Sequence, residues 1–358
     1  MAELIPLEDL PITDLEAVDP GLDAERVQQA AALWQALEDD RRAPPAETLG
    51  ALSGLLDEDL ARAGRAITAL APGDRRKLVS ALSSATVDDF RLDFSAVFRL
   101  ALEDDDGETR ALALAGLDET EDPRLVPVFV RVLRDDGHEP ARCAAADGLA
   151  KYVLLGELEK IRPTPFHTAV EALRTCYLDE GAPIQLRSRA LRAVAYTEEP
   201  DIPDLIASAY AAADETMRIS AVHAMGRSAR EVWASTVKRE LTSASPDMRL
   251  EATRACGELQ LADTVDDIAA LADDVDQRIR LTAVWALGQI GGKAARIALQ
   301  GYTSSDDEAM RQAAEQALQE LEFFSGNLTD FFAPGGAAEE PEGAVWQLPG
   351  YIEGEEET

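Results

Sequence analysis

The sequence predicts an all-α protein, a right-handed α-solenoid of about nine helical pairs, on three observations. Arg187, Arg218, Arg249, Arg280 and Arg311 recur at a constant spacing of 31 residues. That period holds two short helices and two turns, and a unit so small buries its apolar face only against its neighbours. Each of these arginines also sits in one fixed pattern. A long apolar residue precedes it (Leu186, Met217, Met248, Ile279, Met310), and alanine stands at +3 (Ala190, Ala221, Ala252, Ala283, Ala314). Alanine returns at +6 (Ala193, Ala224, Ala255, Ala286, Ala317), and an apolar residue at +7 (Val194, Met225, Cys256, Leu287, Leu318). At 3.6 residues per turn these positions share one face, a stripe of large side chains with alanine notches that calls for a close partner helix. The third observation is composition: 46% hydrophobic residues but only 5% aromatic ones suit small-residue helix packing rather than a β-sandwich.

In chain order, residues 1–23 carry seven carboxylates, no Lys or Arg, and Pro6, Pro11 and Pro20, which reads as an acidic extended arm. Its Leu4, Ile5, Leu7, Leu10 and Ile12 could lie on the first helices or wait for a partner. Residues 24–103 form divergent helical capping repeats, with helices expected over 24–40, 46–56, 58–70, 74–84 and a long one over 88–103. Terminal repeats are atypical because they close the stack with a polar outer face.

Residues 104–324 are the repeats proper. Arg110 fits the register with Ala113, Gly116 and Leu117, and Arg142 with Ala145, Gly148 and Leu149. Between Arg142 and Arg187 the spacing exceeds 31 by 14 residues, an insertion expected around the inter-helix turn near 156–165, either as a binding rim or as a lengthened helix end with no function. Asp106, Asp214, Ser245, Asp276 and Asp307, each four residues before an anchor arginine, suit helix N-caps. Residues 325–358 carry no Lys or Arg, are broken by Pro and Gly, and are expected to be disordered. Trp346, Leu348 and Tyr351 make a candidate docking segment there, with folding back onto the solenoid as the alternative.

These repeats resemble HEAT repeats, armadillo-like superhelices, and in particular the short HEAT-like repeats of the phycobilisome (PBS) lyase type. The likeness is clearest from Ile279 through Arg280, Ala283, Trp285, Ala286, Leu287 and Gly288 to Gly291, with weaker copies at 217–226 and 248–257. The resemblance implies a scaffold that binds protein. It also implies a structural role for the anchors Arg187, Arg218, Arg249, Arg280 and Arg311, with ion pairing expected at Arg218, Arg249 and Arg280.

Charge narrows the partner. With 34 basic and 68 acidic residues the formal net charge is −34, which repels nucleic acid and anionic membrane at long range. No apolar run approaches the ~20 residues a spanning helix needs. A cytoplasmic monomer is expected. Cys143, Cys176 and Cys256 show no metal or paired spacing and read as reduced, structural thiols.

No catalytic motif stands out, and no cofactor or metal is expected. The three histidines, His138, His167 and His223, make no i, i+4 pair. The di-iron HEAT enzymes that resemble deoxyhypusine hydroxylase use several His-Glu dipeptides, whereas only His138-Glu139 occurs here.

The binding candidate is a row on the second helices at +2, +5 and +9, turned away from the alanine stripe and lining the concave side in such stacks. It holds Arg189, Arg192 and Tyr196, then Ser220, His223 and Arg227, then Glu251, Arg254 and Glu258, then Thr282, Trp285 and Gln289. A cationic and aromatic strip within an acidic protein suits an acidic or aromatic-bearing protein or peptide partner. The alternative for its arginines is neutralisation of the chain's own carboxylates. The alternative function is a bilin-lyase-like or other enzyme accessory holding a small ligand in the same groove.

Overall fold

The computed structural model describes residues 20–118 and 120–332, with side chains described from 27 to 323 within that span. Helices α1 (Pro20–Trp34), α2 (Asp57–Thr68), α3 (Pro72–Asp88), α4 (Ser95–Ala101) and α5 (Gly107–Gly116) come first. Then follow α6 (Val126–Asp135), α7 (Glu139–Glu157), α8 (Pro163–Leu178), α9 (Ile184–Val194), α10 (Ile202–Tyr210) and α11 (Glu215–Arg227). The array ends with α12 (Ala234–Glu240), α13 (Pro246–Glu258), α14 (Val265–Leu271), α15 (Gln277–Ile290), α16 (Gly292–Tyr302) and α17 (Glu308–Phe332). Among the described residues there is no strand, and no helix is long and apolar enough to cross a membrane.

The fold is an α-solenoid. The second helices α3, α5, α7, α9, α11, α13, α15 and α17 stack consecutively in one layer, while the first helices lie over them and abut one another less closely. The alanine notches explain the tight layer. Ala190, Ala221, Ala252, Ala283 and Ala314 have no exposed surface. A Cβ on Gly226 would lie 2.8 Å from the Ala255 Cα, and one on Gly257 would lie 2.9 Å from the Ala286 Cα. These glycines stand at +8 of their repeats, where no side chain fits between adjacent second helices.

The anchor arginines tie the layers together. Arg110, Arg249, Arg280 and Arg311 each donate from Nη1 to the carbonyl six residues earlier, at 2.8, 2.9, 3.2 and 2.7 Å. A guanidinium is thereby placed at the carboxyl end of the first helix, where the helix dipole favours positive charge. Three of them also reach a carboxylate of the following repeat: Arg110 to Asp136 at 2.6 Å, Arg249 to Asp274 at 2.9 Å and Arg280 to Asp307 at 3.3 Å. Arg187 bonds the Tyr177 carbonyl instead, at 2.9 Å. Arg218 departs from the expected pairing: among the described residues it has no ion pair, because Ser243, Ala244 and Ser245 stand where the other repeats supply Asp. Arg75 on α3, 35 residues before Arg110 and therefore outside the 31-residue register, plays the same part with Asp104 at 2.7 Å.

Several expectations change. The long helix over 88–103 is only α4, because Asp89 and Asp93 turn the chain by accepting from the backbone N–H of Arg91 and Ser95. The 46–56 helix is a 3-10 helix, Ala46–Leu52. Of the two forms expected for the 14-residue excess, the structure has the lengthened helices: α7 runs to 19 residues and α8 to 16. The added turns of α7 are apolar, with Tyr152, Val153 and Leu155 buried and the Tyr152 hydroxyl donating to the Thr120 carbonyl at 3.0 Å. Of the expected N-caps, Asp106, Asp214, Asp276 and Asp307 accept backbone N–H bonds, whereas the Ser245 side chain caps nothing. At the ends, Pro20 to Asp23 are already helical, and α17 continues eight residues beyond 324 to Phe332. The rest of the arm and of the tail, with Trp346, Leu348 and Tyr351, lies outside the described residues.

Candidate functional site

The +2, +5 and +9 rows of α9, α11 and α13 converge on one buried carboxylate, Glu251. Nδ1 of His223 lies 2.9 Å from Oε2 of Glu251. Arg192 reaches Oε1 from α9 at 3.4 Å, and Arg254, one helical turn along α13, lies 3.5 Å from Oε2. Glu251 and His223 are each 7% exposed, while the Arg192 and Arg254 side chains keep 35% and 32% of their surface in solvent. In the sequence the network shows as a row of arginines; Glu251 stands in that row, but as one carboxylate on an acidic chain it carries no signal that it is the centre.

The histidine tautomer follows from its neighbours. Nδ1 of His223 has both Oε2 of Glu251 and Nη2 of Arg192 at 2.9 Å; the ionised carboxylate, the stronger partner, fixes the hydrogen on Nδ1, which donates to Glu251 rather than accepting from Arg192, and Nε2 accepts from Nε of Arg227 at 3.4 Å. Burial, reinforced by Arg192 and Arg227, pushes the imidazole pKa down to about 4, so the ring is neutral near pH 7. Burial alone would raise the Glu251 pKa, but the His223 hydrogen bond and the two arginines hold it below the ordinary value. One ionised carboxylate thus faces two guanidiniums. Burial, and then the like charge of Arg254, lower the Arg192 pKa despite the attraction of Glu251.

The second part of the strip is Tyr196, Arg227 and Glu258. The Arg227 guanidinium stands 5.2 Å from the Tyr196 ring centre and its Nε lies 3.3 Å from Glu258. Burial raises the Glu258 pKa against the pull of Arg227 and Arg254. Arg189 pairs with Asp147 of α7 instead. On α15 the Trp285 ring rests against the Gly257 backbone, 39% exposed, and Gln289 is half-buried one turn further on. The structure therefore joins Arg192, His223, Arg227, Arg254 and Tyr196 through Glu251 and Glu258, with Trp285 and Gln289 on the next helix. The arginines do neutralise carboxylates of the chain, but unequally. From α7 to α15 these rows hold five cations (Lys151, Arg189, Arg192, Arg227, Arg254) against three carboxylates (Asp147, Glu251, Glu258), a local excess of positive charge in a chain of net charge −34.

Ser220 is buried one turn before His223, yet makes no hydrogen bond to the ring, whose Nε2 is taken by Arg227. Among the described residues no three His, Cys, Asp or Glu side chains converge as a metal-holding group. His138 instead bonds Glu108 at 3.2 Å. Cys143, Cys176 and Cys256 are free and buried, and burial raises all three thiol pKa values, the last to about 12. A separate cavity of about 640 Å³ lies between α6 and α8, on the first-helix layer, over Leu133, Ala172 and Cys176 with Arg134 and His167 at its edge.

Residues 234–319 match the family model described as HEAT repeats. No curated protein matches the sequence. Among solved structures, human deoxyhypusine hydroxylase in complex with glycerol is 20% identical over 85% of this chain and 99% of its own, with a TM-score of 0.34. Yeast importin-beta is 11% identical over 88% of this chain and 52% of its own, TM-score 0.46. A designed armadillo repeat protein in complex with the peptide (KR)4 is 17% identical over 55% of this chain and 99% of its own, TM-score 0.31.

Proposed function

We propose that this HEAT-repeat chain is a non-catalytic cytoplasmic scaffold that holds an acidic, aromatic-bearing protein segment along its second helices. The observation that carries the reading is the pair of half-exposed guanidiniums, Arg192 and Arg254, sharing one buried carboxylate beside the exposed Trp285 ring. A carboxylate supplied from outside completes that arrangement, and an aromatic side chain finds a rigid platform next to it. The close stacking of second helices supports the same face, since in a curved stack the layer whose members abut all along is the inner one. A surface strip built of packed, mutually bonded side chains is preorganised, so a partner meets little ordering cost there.

The test is capture of partners from the native source with variant baits. Charge reversal at Arg192 and Arg254 is unsuitable, because both arginines stabilise the buried Glu251 and two new carboxylates would unfold the site. Arg192→Gln with Arg254→Gln keeps the polar reach and removes the charge. That pair, and separately Trp285→Ala, should each lower capture about tenfold or more, the scale of a hot-spot residue. The control is Lys238→Gln with Arg239→Gln on α12, which changes net charge equally. Equal losses in the control and the strip pair would mean bulk electrostatics and would sink the reading.

A further inference from the structure

We propose that the chain's own C-terminal segment, residues 346–357, occupies this strip and must be displaced by a partner. The inference rests on the binding reading above and names the resident ligand of the same surface. Three observations meet in it.

Charge comes first. Residues 333–358 contain seven glutamates (Glu339, Glu340, Glu342, Glu353, Glu355, Glu356, Glu357) and no Lys or Arg, while the strip holds the local cation excess. A tethered carboxylate next to Arg192 and Arg254 supplies the counter-charge that Glu251 alone cannot give to both. Order is the second observation. Leaving α17, the second-helix layer presents Trp285 on α15, then Arg254 on α13, then Arg192 on α9. Leaving Phe332, the sequence passes Glu339, Glu340 and Glu342, then presents Trp346, Leu348 and Tyr351, and after them the carboxylates Glu353 to Glu357. Aromatic thus meets aromatic and carboxylate meets guanidinium in one direction of travel. The third is reach. Four helix-to-helix steps from α17 to α9 amount to about 40 Å at typical packing distances. The extended chain covers about 3.3 Å per residue, so the residues between Phe332 and Glu355 suffice with slack. Tethering also raises the effective concentration of a weak ligand to about the millimolar range, so modest contacts hold the segment in place until a stronger partner competes.

The experiment uses the full chain with Trp346→p-benzoylphenylalanine, irradiated at high dilution and digested with trypsin. The expected product is a cross-link within one chain from the tail to residues 281–293, the tryptic piece carrying Trp285, or to residues 250–254. Replacing Glu353, Glu355, Glu356 and Glu357 by Gln, outside the described fold, should lower its yield about tenfold, as should Arg192→Gln with Arg254→Gln. A cross-link confined to other helices, or one joining two chains, overturns the proposal, as does a yield indifferent to the Glu→Gln changes. The two readings fail separately. Loss of the cross-link with capture still sensitive to Arg192 and Arg254 removes only the tail as occupant. A cross-link at the strip with capture insensitive to those arginines leaves the tail in place and removes the partner from the strip.

Discussion

His223 shows how one side chain inherits its chemistry from three helices. It sits on α11, takes its acceptor Glu251 from α13, and is pressed by Arg192 of α9 and by Arg227 of its own helix. Burial is the largest influence and holds the folded pKa near 4 against an ordinary 6.5. The sign follows from which state takes the proton. Below the ordinary value the unfolded chain binds it and the folded chain does not, so stability from this group is complete above that value and lost as pH falls toward the folded one. Between about pH 8 and about pH 5 the loss amounts to about 2 kcal/mol. Glu258, whose pKa burial raises, acts oppositely, since the folded state accepts its proton first, and it does so alike with or without His223. Thermal melts across that range should therefore fall for the natural chain and be clearly flatter for His223→Gln. Parallel slopes in the two proteins would mean that the ring titrates normally.

At the level of the element, the second helix is defined as much by what it omits as by what it carries. Gly257 of α13 has the Ala286 backbone of α15 and the Trp285 ring behind it, and Ala252 of α13 and Ala283 of α15 are fully buried on the same two helices. A methyl group on Gly257 must push α13 and α15 apart, and three added carbons at Ala252 or Ala283 do the same. Overpacking of this kind costs about 1–3 kcal/mol. Gly257→Ala, Ala252→Leu and Ala283→Leu should each lower the melting temperature, while Thr282→Leu on the half-exposed side of α15 should change it little. Should Thr282→Leu prove as harmful as the others, the helix phase is misplaced. The same close approach sets the geometry of the strip, because Arg192, Glu251 and Arg254 meet across helices only while the glycine and alanine contacts keep the layer tight.

For the whole molecule the dominant quantity is charge. A formal −34 is spread over an elongated stack whose ion pairs join neighbouring repeats locally, as Arg110 does with Asp136 and Arg249 with Asp274. Local pairs leave the long-range repulsion of the acidic excess in place. Raising ionic strength shortens the Debye length from about 30 Å at 0.01 M to about 8 Å at physiological salt, less than the separation of distant repeats. The melting temperature should therefore rise with sodium chloride over that interval, because the weakened term is net repulsion. A melting temperature that falls with salt would show that the inter-repeat pairs outweigh it.

The sequence by itself determined the architecture, because a 31-residue register with alanine at fixed phases leaves a helix no way to bury its stripe except against the next copy. It also assigned the anchor arginines and the +2, +5 and +9 row to their helix faces, since both depend on spacing within one helix. It could not say which arginine finds a carboxylate. Arg249 does and Arg218 does not, a difference set by Asp274 and Ser243 in loops whose placement depends on the stack. Nor could it show that the excess between Arg142 and Arg187 extends two helices rather than a turn, because burial of Tyr152 under its neighbours decides it. Only the tertiary structure gathered Arg192, His223, Glu251 and Arg254, separated by up to 62 residues, around one carboxylate. The reason is physical: periodicity fixes the face on which a side chain lies, whereas charge state and pairing depend on burial and on distances between helices.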